Sequence, residues 1–113
     1  MSQDESAART QAVINLLRGA RARITERGHW TQGTCARNRY GHKVPLHSPR
    51  AVRWCLLGAL CAETGECSVG EALEALRSIQ RNPTQWNDEP GRKHSDVLAA
   101  FDAAITLLEA VQP

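Results

Sequence analysis

Apolar residues along the chain recur three and four positions apart in four stretches, separated by two stretches where the rhythm fails. Val13, Leu16, Leu17, Ala20 and Ile24 form the first apolar stripe, which predicts a helix from Ser6 to Arg27 stopped at Gly28. From His29 to His47 the period disappears and Gly33, Gly41 and Pro45 mark turns. That segment admits one very short β-hairpin, pairing Cys35-Ala36 with Lys43-Val44 around Asn38-Arg39-Tyr40-Gly41. Ser48 then reads as an N-cap with Pro49 at the first helical position, so a second helix is expected to run from there to Gly65. Its Val52, Leu56 and Leu60 share one face, and Cys55, Gly58, Ala59 and Ala62 form a neighbouring face of small side chains. Apolar residues on so much of its circumference predict the most buried helix.

Ser68 and Glu71 have capping-box spacing ahead of Val69, Ala72, Leu73, Leu76 and Ile79, which predicts a third helix ending near Asn82-Pro83. Pro83 to His94 reads as an ordered loop with turn chemistry in Asn87-Asp88 and Pro90-Gly91. Ser95 caps a last helix whose inner side carries Val97, Leu98, Phe101, Ile105 and Leu108. The expected fold is all-α: four helices and two irregular loops in one domain over residues 1–113, with residues 1–5 as a tail.

At 113 residues the chain supports one modest core. With so few other aromatics, Trp30, Trp54 and Trp86 are expected to organise the packing, since Trp is costly to expose and its N–H wants a partner. No run reaches the roughly 18 to 20 apolar residues of a membrane span, and the polar start lacks a secretion signal. A cytoplasmic protein with Cys35, Cys55, Cys61 and Cys67 as free thiols is therefore expected.

The net charge of +2 conceals an uneven distribution. Between Arg9 and Arg53 ten basic residues meet Glu26 alone, while from Trp54 onward nine acidic residues face four basic ones. Two readings follow. The halves pair their charges across a packing interface, or Arg37, Arg39, Lys43, Arg50 and Arg53 present a basic surface to nucleic acid. No helix-turn-helix pattern accompanies them, so such binding would be nonspecific.

Three further constellations carry candidate chemistry. Cys55 with His94 or His47 as base has the residue types of a thiol nucleophile site. Counted from Pro49, however, Cys55 lies nearly two turns into its helix among Val52, Leu56 and Ala59, which is the setting of a buried small hydrophobe. His29, Cys35, His42 and His47 are acceptable zinc ligands in one loop, but their spacing matches no recognised ligand pattern, and neither a metal nor a cofactor is expected. Trp86, Asn87 and Asp88 with Arg92 and His94 can form a ligand pocket, the indole serving as platform; the same residue types anchor loops. Trp30, just after a helix end, has both roles open to it.

The order and spacing of Trp30, Val52-Arg53-Trp54-Cys55-Leu56-Leu57-Gly58-Ala59-Leu60, Trp86-Asn87-Asp88 and Asp96-Val97-Leu98 resemble the DUF6197 family of small bacterial and phage proteins. The resemblance implies a single compact domain and transfers no activity, cofactor or catalytic residue. The residues themselves point to a non-enzymatic binding or interaction module with a protein or nucleic-acid partner and no membrane. The alternatives are a small enzyme using the Cys/His or Trp-Asn-Asp loop site, and nonspecific nucleic-acid binding through the basic half.

Overall fold

The computed structural model describes residues 3–64 and 69–112. Its elements are α1 (Gln3–Arg23), β1 (Ala36–Arg37), β2 (Arg53–Trp54), α2 (Leu56–Thr64), α3 (Gly70–Ile79), α4 (Pro83–Asn87) and α5 (His94–Ala110). Four of the helices are substantial, and the two strands pair antiparallel with Ala36 opposite Trp54 and Arg37 opposite Arg53. The mostly helical architecture expected from the apolar period is what forms.

The long helix α1 packs against both α2 and α5, and α3 packs against α5. Asp4 and Glu5 in its first turn and Arg21 and Arg23 in its last complement the helix dipole. It buries Ile14, Leu17 and Ala20 completely, as the turn after it buries Ile24, with Val13 and Leu16 packed at the margin. Leu56, Ala59 and Leu60 of α2, Leu76 of α3 and Val97, Phe101 and Ala104 of α5 complete the core, together with Trp86 from α4. Removing this apolar surface from water is the main force holding the helices together.

Several boundaries differ from the sequence expectation. Helix α1 begins at Gln3, so its first turn includes residues expected in the tail, and it ends at Arg23; Glu26 accepts from the His29 N–H at 3.0 Å to close the turn in which Gly28 takes φ 91°. The second helix starts at Leu56, not at Pro49. Ser48 does cap locally, its hydroxyl taking the Arg50 N–H at 3.1 Å, but it caps a turn. The chain then straightens because Val52 N–H finds the Arg37 carbonyl at 2.9 Å and residues 53–54 find β1, tertiary partners that a continued helix would forfeit.

The expected hairpin exists in part. Asn38 N–H donates to the His42 carbonyl at 2.9 Å and Val44 N–H to Ala36 at 3.2 Å, but the strand partner of β1 is Arg53–Trp54, and residue 43 contributes only a bridge to Arg37. The loop from Pro83 contains the short helix α4, with Asn82 at φ 50° ahead of a proline at the first helical position. Helix α5 begins at His94 with Lys93 as its cap, since the Asp96 carboxylate reaches back to the Lys93 N–H at 3.0 Å. The Gly65 stop and the Ser68 cap lie outside the described residues, as does Cys67.

Candidate binding face

Two zones lie between α1 and α2 and along α4, one closed on itself and one open. The closed zone centres on Asn87, the last residue of α4 and 1% exposed. Its side-chain oxygen accepts from the Trp30 indole N–H at 2.7 Å and from the Leu56 N–H at 3.2 Å. Its amide nitrogen donates to the Thr31 carbonyl at 3.2 Å and to Asp88 at 2.9 Å. These four bonds use the full capacity of a carboxamide. Because Leu56 is the first residue of α2, Asn87 caps that helix from another element, answering one of the N–H groups that every helix start leaves over.

Neighbouring residues reinforce the knot. Gln32 donates to the carbonyls of Asn87 at 2.8 Å and Glu89 at 2.9 Å, and Asp88 accepts from the Gly33 N–H at 3.0 Å. The Arg92 guanidinium lies 4.2 Å from the centre of the Trp86 ring and donates to the Trp86 carbonyl at 3.0 Å. His94 stacks on Trp30 with ring centres 6.0 Å apart, and its Nε2 meets the Ile24 carbonyl. The structure thus gathers Trp30, Trp86, Asn87, Asp88, Arg92 and His94 into one cluster, in which the Trp30 indole N–H and the side chains of Asn87, Asp88 and Arg92 bond to the protein itself. An open hollow of about 470 Å³ lies beside it, lined by Thr25, Trp30, Lys93 and His94 among others.

Cys55 immediately precedes α2, so it stands at the helix start and not two turns inside, the position expected from counting at Pro49. Its sulfur accepts the Gly58 N–H at 3.2 Å and its carbonyl the Ala59 N–H at 2.9 Å, the bonding of an N-cap. The thiol is pushed up to about 12 by burial, which outweighs the lowering by the Gly58 N–H. A thiol that stays protonated is a poor nucleophile. His94 is engaged with Trp30 and Ile24, and His47 is exposed in the turns that follow Pro45. The chain leading into β1 passes so close to α2 that a Cβ on Gly58 would collide with the Cys35 carbonyl oxygen. The small-residue face of α2 at Gly58 therefore meets the backbone of the residue just before β1, and not another helix. Trp54, beneath the Arg23 guanidinium at 5.2 Å, keeps a buried indole N–H without a partner among the described residues.

The open zone is the hairpin tip. Asn38 holds it, its side-chain oxygen taking the N–H groups of both Tyr40 and His42 at 3.0 Å while Gly41 adopts φ 82°. Arg37 fastens the base to the closed zone, donating to the Thr31 hydroxyl at 2.8 Å and to the carbonyls of Gln32 and Gly41 at 3.0 Å. Arg53 donates to the Arg39 carbonyl at 3.3 Å. Tyr40 projects 66% exposed, with the Arg39 guanidinium 4.7 Å from its ring centre and the His42 ring 6.2 Å away. Asn38, Arg39, Tyr40, His42, Arg50 and Val52 line a hollow of about 670 Å³.

Charge separates the zones further. The arginines of α1 meet acids on other helices: Arg21 grips Asp102 through two bonds of 2.6 and 3.1 Å, Arg23 meets Glu63 at 2.9 Å and Arg18 meets Glu109 at 3.0 Å. Pairing between the halves, one of the two readings of the charge asymmetry, thus holds for α1. From Arg27 to Ala62 the chain contains no Asp or Glu, and among the described residues Arg37, Arg39, Lys43, Arg50 and Arg53 enter no ion pair. Among the described residues no three His, Cys, Asp or Glu side chains are placed to hold a metal, so His29, Cys35, His42 and His47 do not assemble into such a site.

Sequence reasoning overlooked Tyr40, although an aromatic between Arg39 and Lys43 in an Asn-Gly turn is a visible signal of a displayed ring. It also overlooked Thr31, Gln32 and Gly33, whose backbone and amide contacts with α4 leave no trace in any local pattern.

The architecture is that of a small, mostly helical domain in which a two-stranded ladder and a tryptophan-asparagine knot cap the central helix. The chain belongs to the family of unknown function DUF6197, whose model matches residues 8–107. The Trp54 to Leu60 and Trp86 to Asp88 segments that carried the resemblance are the two sides of that knot. No curated protein and no solved structure matches the chain.

Proposed function

We propose that this protein is a non-enzymatic binding module, and that it takes an anionic polymer on the hairpin face formed by residues 38–53. The observation that carries the reading is the contrast in charge: arginines on α1 are paired within the fold, whereas the exposed Arg39, Lys43 and Arg50, with Arg53 beside them, stand in an acid-free stretch and enter no ion pair among the described residues. Uncompensated cations on one face concentrate anions by their summed field. A binding role is further supported by the state of the competing enzyme candidates, since Cys55 is buried and protonated and Asn87 has no bonding capacity left for a substrate.

Titration of fluorescein-labelled heparin with the protein, followed by anisotropy, tests the reading. With about four cations engaged, log K should fall with log salt at a slope of about −3 to −4. Arg39→Ala combined with Arg50→Ala should weaken binding and flatten that slope by about 2. An affinity indifferent to salt, or no binding at low salt, would overturn the proposal.

A further inference from the structure

We infer that the anionic polymer is a single-stranded nucleic acid, and that Tyr40 receives one of its bases by stacking; this rests on the hairpin-face reading above. A surface meant for anionic charge alone needs only dispersed cations. This one also displays an aromatic ring at the point where the cations converge. Of the rings in the chain, Phe101 is fully buried and Trp86 is 8% exposed, whereas Tyr40 is 66% exposed. Exposing a large ring forgoes its burial energy, and the turn's backbone bonds would form as well with a polar residue, because Asn38 bonds the backbone N–H of Tyr40 and not its side chain. The ring is also held in place. Arg39 sits over it at 4.7 Å and Gly41 at φ 82° fixes the turn behind it, so little ordering remains to be done on binding.

The surroundings complete a single-strand site. A base stacked on the tyrosine brings its flanking phosphates beside Arg39 and Arg50, which line the same hollow together with His42. Stacking platforms flanked by cations bind single strands with little sequence preference, since every base offers a π face. A duplex keeps its bases paired and stacked inside and has none to offer. The bases of a single strand are free to leave one another for the ring.

The experiment compares three probes at one low salt concentration: labelled oligothymidine, the same length of duplex DNA, and labelled heparin. Oligothymidine should bind about tenfold more tightly than duplex, the equivalent of one stacked base. Tyr40→Ala should lose about that tenfold for oligothymidine and clearly less for heparin, which has no base to stack, while Tyr40→Phe should keep the wild-type affinity for oligothymidine. Circular dichroism of both variants controls for the fold. If heparin binds but single strand has no advantage over duplex, or if Tyr40→Ala leaves oligothymidine binding unchanged, the stacking inference is overturned and the polyanion reading stands. If none of the three binds, both fall. Labelled polyglutamate is run beside these three as an acidic-peptide probe; if it matches oligothymidine, the face is assigned to an acidic protein and the nucleic-acid assignment is overturned.

Discussion

The knot around Asn87 and the hairpin tip around Tyr40 are built from the same kinds of residue, an aromatic, an asparagine and an arginine, and they use them in opposite ways. In the knot, Asn87 spends all four hydrogen bonds inside the protein and Arg92 covers the buried Trp86. At the tip, Asn38 bonds only the turn it sits in, while Arg39 and Tyr40 point outward together. Burial is the cause of the difference. A polar group removed from water must find a partner within the fold or cost free energy, whereas an exposed one has water and remains available. Arg37 bonds to both zones, so the open one is held on the closed one.

If that contrast is right, substitutions in the knot unfold the protein and substitutions at the tip do not. The largest effect is expected from Trp86→Ala, about 3 to 5 kcal/mol by thermal or denaturant unfolding, as for emptying a large core site. A variant that lost less than a surface substitution would show Trp86 to be a displayed ring as well.

Gly58→Ala comes next, at about 3 kcal/mol, because its new Cβ meets the backbone oxygen of Cys35 and backbone cannot step aside as a flexible side chain can. An unchanged melting temperature would mean that β1 lifts freely from α2. Asn87→Leu keeps the volume but orphans the Trp30 and Leu56 N–H groups, for about 2 to 3 kcal/mol, and hydrogen exchange should quicken in residues 31–33 and at the start of α2. Exchange as slow as the parent's would locate the hub elsewhere.

Cys55 gives the knot a pH signature. Its thiol is raised in the folded state to about 12 from 9.0, so the protonated form is the one folding favours. That contribution is complete below pH 9 and is lost as pH climbs from 9 toward 12, by up to about 1.4 kcal/mol per pH unit. Cys55→Ser retains a capping acceptor and should flatten the alkaline limb of the stability curve; a curve that declines as before would assign it to other groups. Smallest of all, Tyr40→Ala and Arg50→Ala should shift stability by less than about 0.5 kcal/mol. A larger loss would place the tip in the structural framework and erase the distinction between the zones.

Helix existence was readable from the chain because a helix buries one stripe, and the stripe repeats in the sequence at the helical period. That is why α1, α3 and α5 lie where Leu17, Leu76 and Phe101 predict them. The charge asymmetry was readable too, and Trp86, Asn87 and Asp88 stood out as one group; that Trp30 joins them was not readable, because its indole reaches Asn87 across 57 residues of chain. The start of α2 was not readable either. Ser48-Pro49 is a sound local signal, but the Val52 N–H bonds to the Arg37 carbonyl and the Trp54 N–H to the His29 carbonyl, more than a dozen residues earlier, and distant partners outweigh a local preference worth about 1 kcal/mol. The division of the arginines into paired and free also depended on the fold, since Asp102 lies 81 residues from Arg21 in the chain and beside it in space. Sequence alone determined what is periodic and local. Pairings between residues far apart in the chain were decided by the tertiary structure, because hydrogen bonds and ion pairs depend on proximity and direction, which only the packed helices supply.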